Sequence, residues 1–148
     1  MSYFHFIIFF LFISISVYSQ NLISNHSFEV YNDCPTGKNE IEDAVDWYNP
    51  TSTSPDLFNI CNSTTVGVPS NYGGYQNTKH GNAYSGIALY TSACNCREYI
   101  ENKLLNPLIK DKQYKISLFI NKADSGYFSV SQNSNTIIFS ATDTTNKY

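Results

Sequence analysis

The sequence predicts an all-β fold of the jelly-roll sandwich class, and three observations carry that expectation. Aromatic residues make up 16% of the chain, with 12 Tyr and 10 Phe, and such side chains suit the pleated, half-buried surface of a sheet. Charged residues reach only 14%, against about a quarter in ordinary globular domains. Asn, Ser and Thr fill the polar positions instead. Short runs of period-two alternation recur along the chain and are separated by stretches rich in turn formers, as several short strands joined by loops require.

The first segment in chain order is an export signal. Phe6 to Ile13 is an unbroken apolar run of eight residues, and a membrane-spanning helix needs roughly 20. The run fits the apolar centre of a secretory signal, and Val17-Tyr18-Ser19 offers small or compact residues for cleavage. No Lys or Arg precedes it, so the terminal amine supplies the positive charge. Residues 1–19 are thus expected to be a signal peptide and 20–148 a mature module, secreted or displayed at the cell surface. No membrane-spanning segment is expected after cleavage.

In the mature part, Asn21 to Glu29 is the first expected strand and Ala44 to Tyr48 a short second one, stopped by Asn49-Pro50. Ala83 to Tyr90 alternates Ile87 and Leu89 against Tyr84, Ala88 and Tyr90. Arg97 to Leu105 has helical spacing at Ile100 and Leu104, yet Tyr99 and Ile100 favour a strand, which is the reading adopted, and Asn106-Pro107 ends it. The cleanest alternation is at Tyr114, Ile116, Leu118 and Ile120 against Lys115, Ser117 and Phe119. Thr136 to Ala141 completes the series. Thr64 to Gly81 holds Gly67, Pro69, Gly73, Gly74 and Gly81 and is expected to be one long surface loop, the kind of segment that more often carries function. About seven strands are expected where a jelly roll has about eight, so the module is expected to lack its last strand, as a truncated frame would.

Cys34, Cys61, Cys94 and Cys96 all lie in the mature part. In an exported chain paired thiols are the default, and four cysteines allow three connectivities. Cys34 and Cys61 flank a 26-residue insert and form the natural long-range pair. Cys94-Asn95-Cys96 can close on itself only over a bent backbone. A zinc site there needs further ligands, and His26 and His80 stand in no recognised spacing with it.

Composition and motifs also exclude. The net charge is −3 and the pI about 5.5, with no basic stripe, which argues against nucleic acid as a partner. There is no Gly-x-Ser-x-Gly elbow, no His-Glu-x-x-His and no phosphate-cradling loop. Glu98 and Glu101, three apart on a strand, face opposite sides and read as exposed charges beside Arg97 and Lys103. No enzymatic activity is expected.

The most specific stretch is Asn21-Leu22-Ile23-Ser24-Asn25-His26-Ser27-Phe28-Glu29. It resembles the opening strand of carbohydrate-binding jelly rolls of the galactose-binding-like type. Tyr31-Asn32-Asp33-Cys34-Pro35, Asp46-Trp47-Tyr48, Ser54-Pro55-Asp56-Leu57-Phe58-Asn59, Gly73-Gly74-Tyr75-Gln76 and Arg97-Glu98-Tyr99-Ile100 follow in order. Together they are similar to the N-terminal extracellular module of Bacteroidetes surface proteins, which commonly precedes an outer-membrane protein A-like domain or a gliding-motility-associated region. The resemblance implies a non-catalytic envelope or adhesion module, with a carbohydrate-binding module detached from a larger glycan-active enzyme as the alternative. It also implies that Glu29 is the position for a structural calcium ion. Calcium takes six to eight oxygens, so a single Glu reads more readily as a solvated or hydrogen-bonded one.

The candidate partner is a glycan or another cell-surface molecule, and aromatic faces are the groups that would hold it. Tyr72, Tyr75 and Tyr84 are the candidate ligand-binding residues. Tyr72 and Tyr75 belong to the Gly-rich loop and would form a rim. Tyr84 and Tyr90 share a face but stand about 20 Å apart at six residues, too far to grip one sugar ring. Trp47 is expected to anchor the core.

Overall fold

The computed structural model describes residues 20–91 and 93–124. Among them the structure is built of short antiparallel strands with a single 3-10 turn, Ile41–Asp43, as expected of an all-β chain. The strands are β1 (Trp47–Tyr48), β2 (Asp56–Asn59), β3 (Ser70–Asn71), β4 (Gly74–Tyr75), β5 (Ala83–Gly86) and β6 (Glu101–Asn102). They pair as β1–β6, β2–β5 and β3–β4, each pair antiparallel. The expected signal segment and the expected strand at Thr136 to Ala141 lie outside the described residues.

The β2–β5 pair is the centre. Pro55, itself buried, leads into β2, where a missing N–H costs nothing at the start of a strand. All four β2 residues are buried, and Phe58 stands directly across from Tyr84. Gly86 opposes Asp56 because Phe58 needs the space: a Cβ on Gly86 would come within 2.4 Å of the Phe58 ring. Ile41, Ala44, Trp47, Leu57 and Ala83 form the core, with Ile23, Phe28 and Ile100 packed against them. Trp47 is an anchor as expected. Its ring stacks on Phe28 at 4.5 Å, and its indole N–H donates to the Asn25 carbonyl at 2.9 Å.

Several strands are shorter than the alternation predicts, and each has a local cause. Asn21 to Glu29 makes one bridge, Ile23 with Leu104, and then turns. The turn is set by Asn25, which adopts φ +45°. Its amide donates to the Val30 and Val45 carbonyls at 2.7 and 2.8 Å, and its side-chain oxygen accepts from the Val30 N–H at 3.0 Å. A side chain that satisfies two carbonyls and an N–H supplants the ladder a strand would need. In Ala44 to Tyr48, Asp46 at φ +67° confines the strand to β1. The strand expected from Ala83 to Tyr90 stops at Gly86, and Ala88 N–H turns to the Glu98 carboxylate at 2.6 Å. That of Arg97 to Leu105 survives as β6 and the Leu104 bridge.

The loop expected at Thr64 to Gly81 contains a hairpin instead, β3–β4, turning at Tyr72-Gly73 with Gly74 at φ +127°. Tyr72-Gly73 is a two-residue loop, the commonest hairpin length. Tyr114 to Ile120, the cleanest alternation, forms no strand, and every residue from 105 to 124 is exposed. Alternation reports the two faces a strand would present and says nothing of a neighbour.

Both disulfides are closed. Cys34–Cys61 forms as expected, with Cα atoms 6.0 Å apart across a sequence separation of 27. By loop closure such a bond stabilises by about 3–4 kcal/mol. Cys94 and Cys96 bond to each other over a turn in which Asn95 has φ +53°, so neither thiol remains for a metal.

Candidate functional site

The hairpin β3–β4 and the adjoining face of β2–β5 bring together two of the three candidate tyrosines and a buried carboxyl group, that of Asp56. Asp56 sits at the head of β2 and is only 4% exposed. It accepts the Asn39 N–H at 2.6 Å and the Tyr72 hydroxyl in a short hydrogen bond. Burial pushes its carboxyl above the usual Asp value, and the Tyr72 and Asn39 donors only partly offset that. The Tyr72 phenol is pushed up as well, first by burial and then by the Asp56 carboxylate it donates to. Phe58 stacks between Tyr72 at 5.6 Å and Tyr84 at 5.0 Å. The Lys38 ammonium lies 3.8 Å from the Tyr72 ring centre, a cation–π contact. Asn71 donates to the Tyr84 hydroxyl at 2.7 Å, and burial raises that phenol too.

This arrangement is a stack whose polar tips are occupied. A sugar needs an open ring face, and Phe58 and Lys38 lie against Tyr72 while Phe58 covers Tyr84. Tyr75, on β4, is 60% exposed. Of the three candidates it alone offers a largely open ring. A second concavity, lined by Asn39, Ile41, Glu42, Asn49, Thr51, Ser52 and Thr53, is polar. Its Asn49 and Thr51 side chains already bond within their own turn.

Glu29 sits where the β5 chain begins. Its carboxylate accepts the Asn82 and Ala83 N–H groups at 2.8 and 3.1 Å, and Gly81 at φ +62° is needed there because a Cβ would strike that carboxylate at 2.2 Å. Two backbone donors on one carboxylate make it a clamp for the strand start. Among the described residues no group of three or more His, Cys, Asp or Glu is placed to hold a metal ion. Glu29, the residue at which the resemblance implies calcium, spends its Oε1 on the start of β5.

The expectation of an exposed Glu98 is corrected. It is half-buried and accepts the Ser54 N–H and hydroxyl at 3.3 and 2.7 Å as well as the Ala88 N–H, so it ties the turn before β2 to the chain after β5. Glu40 does similar work for the backbone at Thr36 and Gly37, and the Gly37 N–H, foremost, lowers its carboxyl below the usual value. Sequence reasoning assigns no role to Asp56, Lys38 or Glu40 and reads Glu98 only as an exposed charge. Asp56 carried a signal: an acid between Pro55 and the apolar pair Leu57-Phe58 is a charge in a run that reads as buried. The other three carried none: Lys38 meets the Tyr72 ring and Glu98 the backbone at Ser54 and Ala88, both far along the chain, and Glu40's bonds to Thr36 and Gly37 follow no recognised motif.

No protein-family model, curated protein or solved structure matches this chain.

Proposed function

We propose that this chain is an exported, non-catalytic surface module of a Bacteroidetes envelope or adhesion protein, built on a jelly-roll sandwich frame and acting through the surface around Tyr75. One observation carries the reading: four carboxylates among the described residues are spent on the fold. Glu29, Glu40 and Glu98 each accept backbone N–H groups, and Asp56 is buried under Tyr72. A general acid or base must reach a substrate proton, and these carboxylates already hold protein donors. The antiparallel pairs β1–β6 and β2–β5 around the Trp47 core are the units such a sandwich uses, and the Cys34–Cys61 bond suits an oxidising compartment.

Carbohydrate binding is the second reading, and the open Tyr75 ring beside the hairpin favours it. The mature chain is incubated with bacterial envelope fragments and, separately, with a glycan array. Retention on envelope fragments without release of reducing ends is expected, with at least a tenfold loss in Tyr75→Ala. Array binding that disappears in Tyr75→Ala selects the carbohydrate reading. Hydrolysis of any polysaccharide by the purified chain overturns the non-catalytic one.

A further inference from the structure

The two disulfides differ in what they close. Cys34–Cys61 spans 27 positions and encloses the 3-10 turn, β1 and β2. The Asn62 side chain reinforces the junction by donating to the Pro35 carbonyl at 2.9 Å. Folding holds its sulfurs together, so the fold opposes its reduction. Cys94–Cys96 spans two positions and encloses one residue. That small ring restrains the chain little, and it requires Asn95 in the left-handed region, which non-glycine residues enter sparingly.

The hairpin that carries this small ring has backbone hydrogen bonds of its own. Thr91 and Cys96 exchange both backbone hydrogen bonds, at 2.9 and 3.1 Å, and Glu98 N–H donates to the Ala88 carbonyl at 2.9 Å. Opening the bond therefore costs the fold little, whereas opening Cys34–Cys61 frees a long loop. Cys94 is exposed and Cys96 half-buried. Cys96 Sγ also lies 3.3 Å from the Cys94 carbonyl oxygen, a ready acceptor for an S–H formed on reduction.

We propose that Cys94–Cys96 is a thiol–disulfide exchange site that takes electrons from low-molecular-weight thiols while Cys34–Cys61 stays closed. A thiolate attacks the exposed Cys94 sulfur, forming a mixed disulfide as the Cys94–Cys96 bond breaks. The Cys96 sulfur leaves as thiolate and takes a proton from water. A second thiolate then attacks the small-molecule sulfur of the mixed disulfide. It releases the oxidised thiol dimer and Cys94 as thiolate, which is protonated in turn. Two thiols are oxidised and one protein disulfide is reduced, and the reverse sequence passes both electrons to a disulfide.

The test is made on the oxidised mature chain, equilibrated in graded mixtures of reduced and oxidised glutathione, with free thiols then trapped by a maleimide and located by peptide mass spectrometry. Cys94 and Cys96 are expected to become labelled at a ratio of squared thiol to disulfide at least tenfold lower than Cys34 and Cys61, or about 30 mV for this two-electron couple. Opening of the two bonds within tenfold of each other, or of Cys34–Cys61 first, overturns the proposal. In Cys96→Ser, Cys94 is expected to hold a persistent glutathione adduct, and an unreactive Cys94 there contradicts attack at the exposed sulfur.

Discussion

The segments 21–104 and 105–124 make an instructive pair. The first holds the core, all six strands and both disulfides, although its alternation is broken by turns. The second carries the most regular strand pattern in the chain, yet Ile116, Leu118, Phe119 and Ile120 are all largely exposed. The difference lies in what satisfies the backbone. In the first segment, Asn25, Glu29, Glu40, Glu98 and Asn102 supply side-chain partners to backbone groups, and short strands suffice. Polar anchors, several of them distant in sequence, fix the structure there, and hydrophobic pattern alone does not fix it in the second.

The largest break in this comparison is expected from Trp47→Ala. Removing a buried indole that stacks on Phe28 should cost about 3–5 kcal/mol in urea unfolding, whereas Leu118→Ala, at an exposed position, should stay within about 0.5 kcal/mol. Near-equal losses would erase the distinction. Next, replacing Cys34 and Cys61 together by Ala should lower stability by about 3–4 kcal/mol, measured by the same unfolding curve. The corresponding Cys94 and Cys96 double replacement should cost clearly less.

Asn25→Ala sharpens the role given to polar anchors. It strips partners from the exposed Val30 N–H and carbonyl, which water can replace, and from the part-buried Val45 carbonyl, and a buried group left unpaired costs about 1 kcal/mol or more. A loss of about 1 kcal/mol is expected by chemical denaturation, and no measurable effect would make the turn independent of that side chain.

Acid titration gives the smallest effect. The Glu40 carboxyl is held below its ordinary value by the Gly37 N–H, so the folded state binds that proton less readily than the unfolded one. Its contribution is present above the ordinary Glu value and fades as pH falls through the folded one. Asp56 acts with the opposite sign: burial raises its carboxyl, so its contribution is present at low pH and is lost as pH rises through the raised value. Glu40→Gln should therefore flatten the acid limb of the stability curve, leaving the change above it attributable to groups such as Asp56. An unchanged limb would remove Glu40 from the account.

The sequence was legible where a residue's role is set by its own chemistry. Trp47 reads as core because a large ring with one N–H suits a buried site beside a carbonyl. Cys34 and Cys61 read as a pair from compartment and spacing. It was less legible where the partner decides the role. Asn21 to Glu29 looked like a strand because nothing local announces that Asn25 will bond to Val45. The same stretch that resembles a sugar-binding strand is in this structure a set of anchors: Asn25 holds a turn, Phe28 stacks on Trp47 and Glu29 clamps β5. Tyr72 and Tyr84 were singled out as aromatic, and their hydroxyls proved to be engaged by Asp56 and Asn71.

Amide hydrogen exchange on the oxidised chain sets the two segments side by side most directly. The amides of Leu57, Asn59, Ala83 and Trp47 should exchange orders of magnitude more slowly than those of Lys115 to Ile120, which should exchange near the rate of an open chain. Protection of Lys115 to Ile120 equal to that of β2 would contradict the claim that anchors and disulfide closure in 21–104, and not the alternating segment, hold this fold.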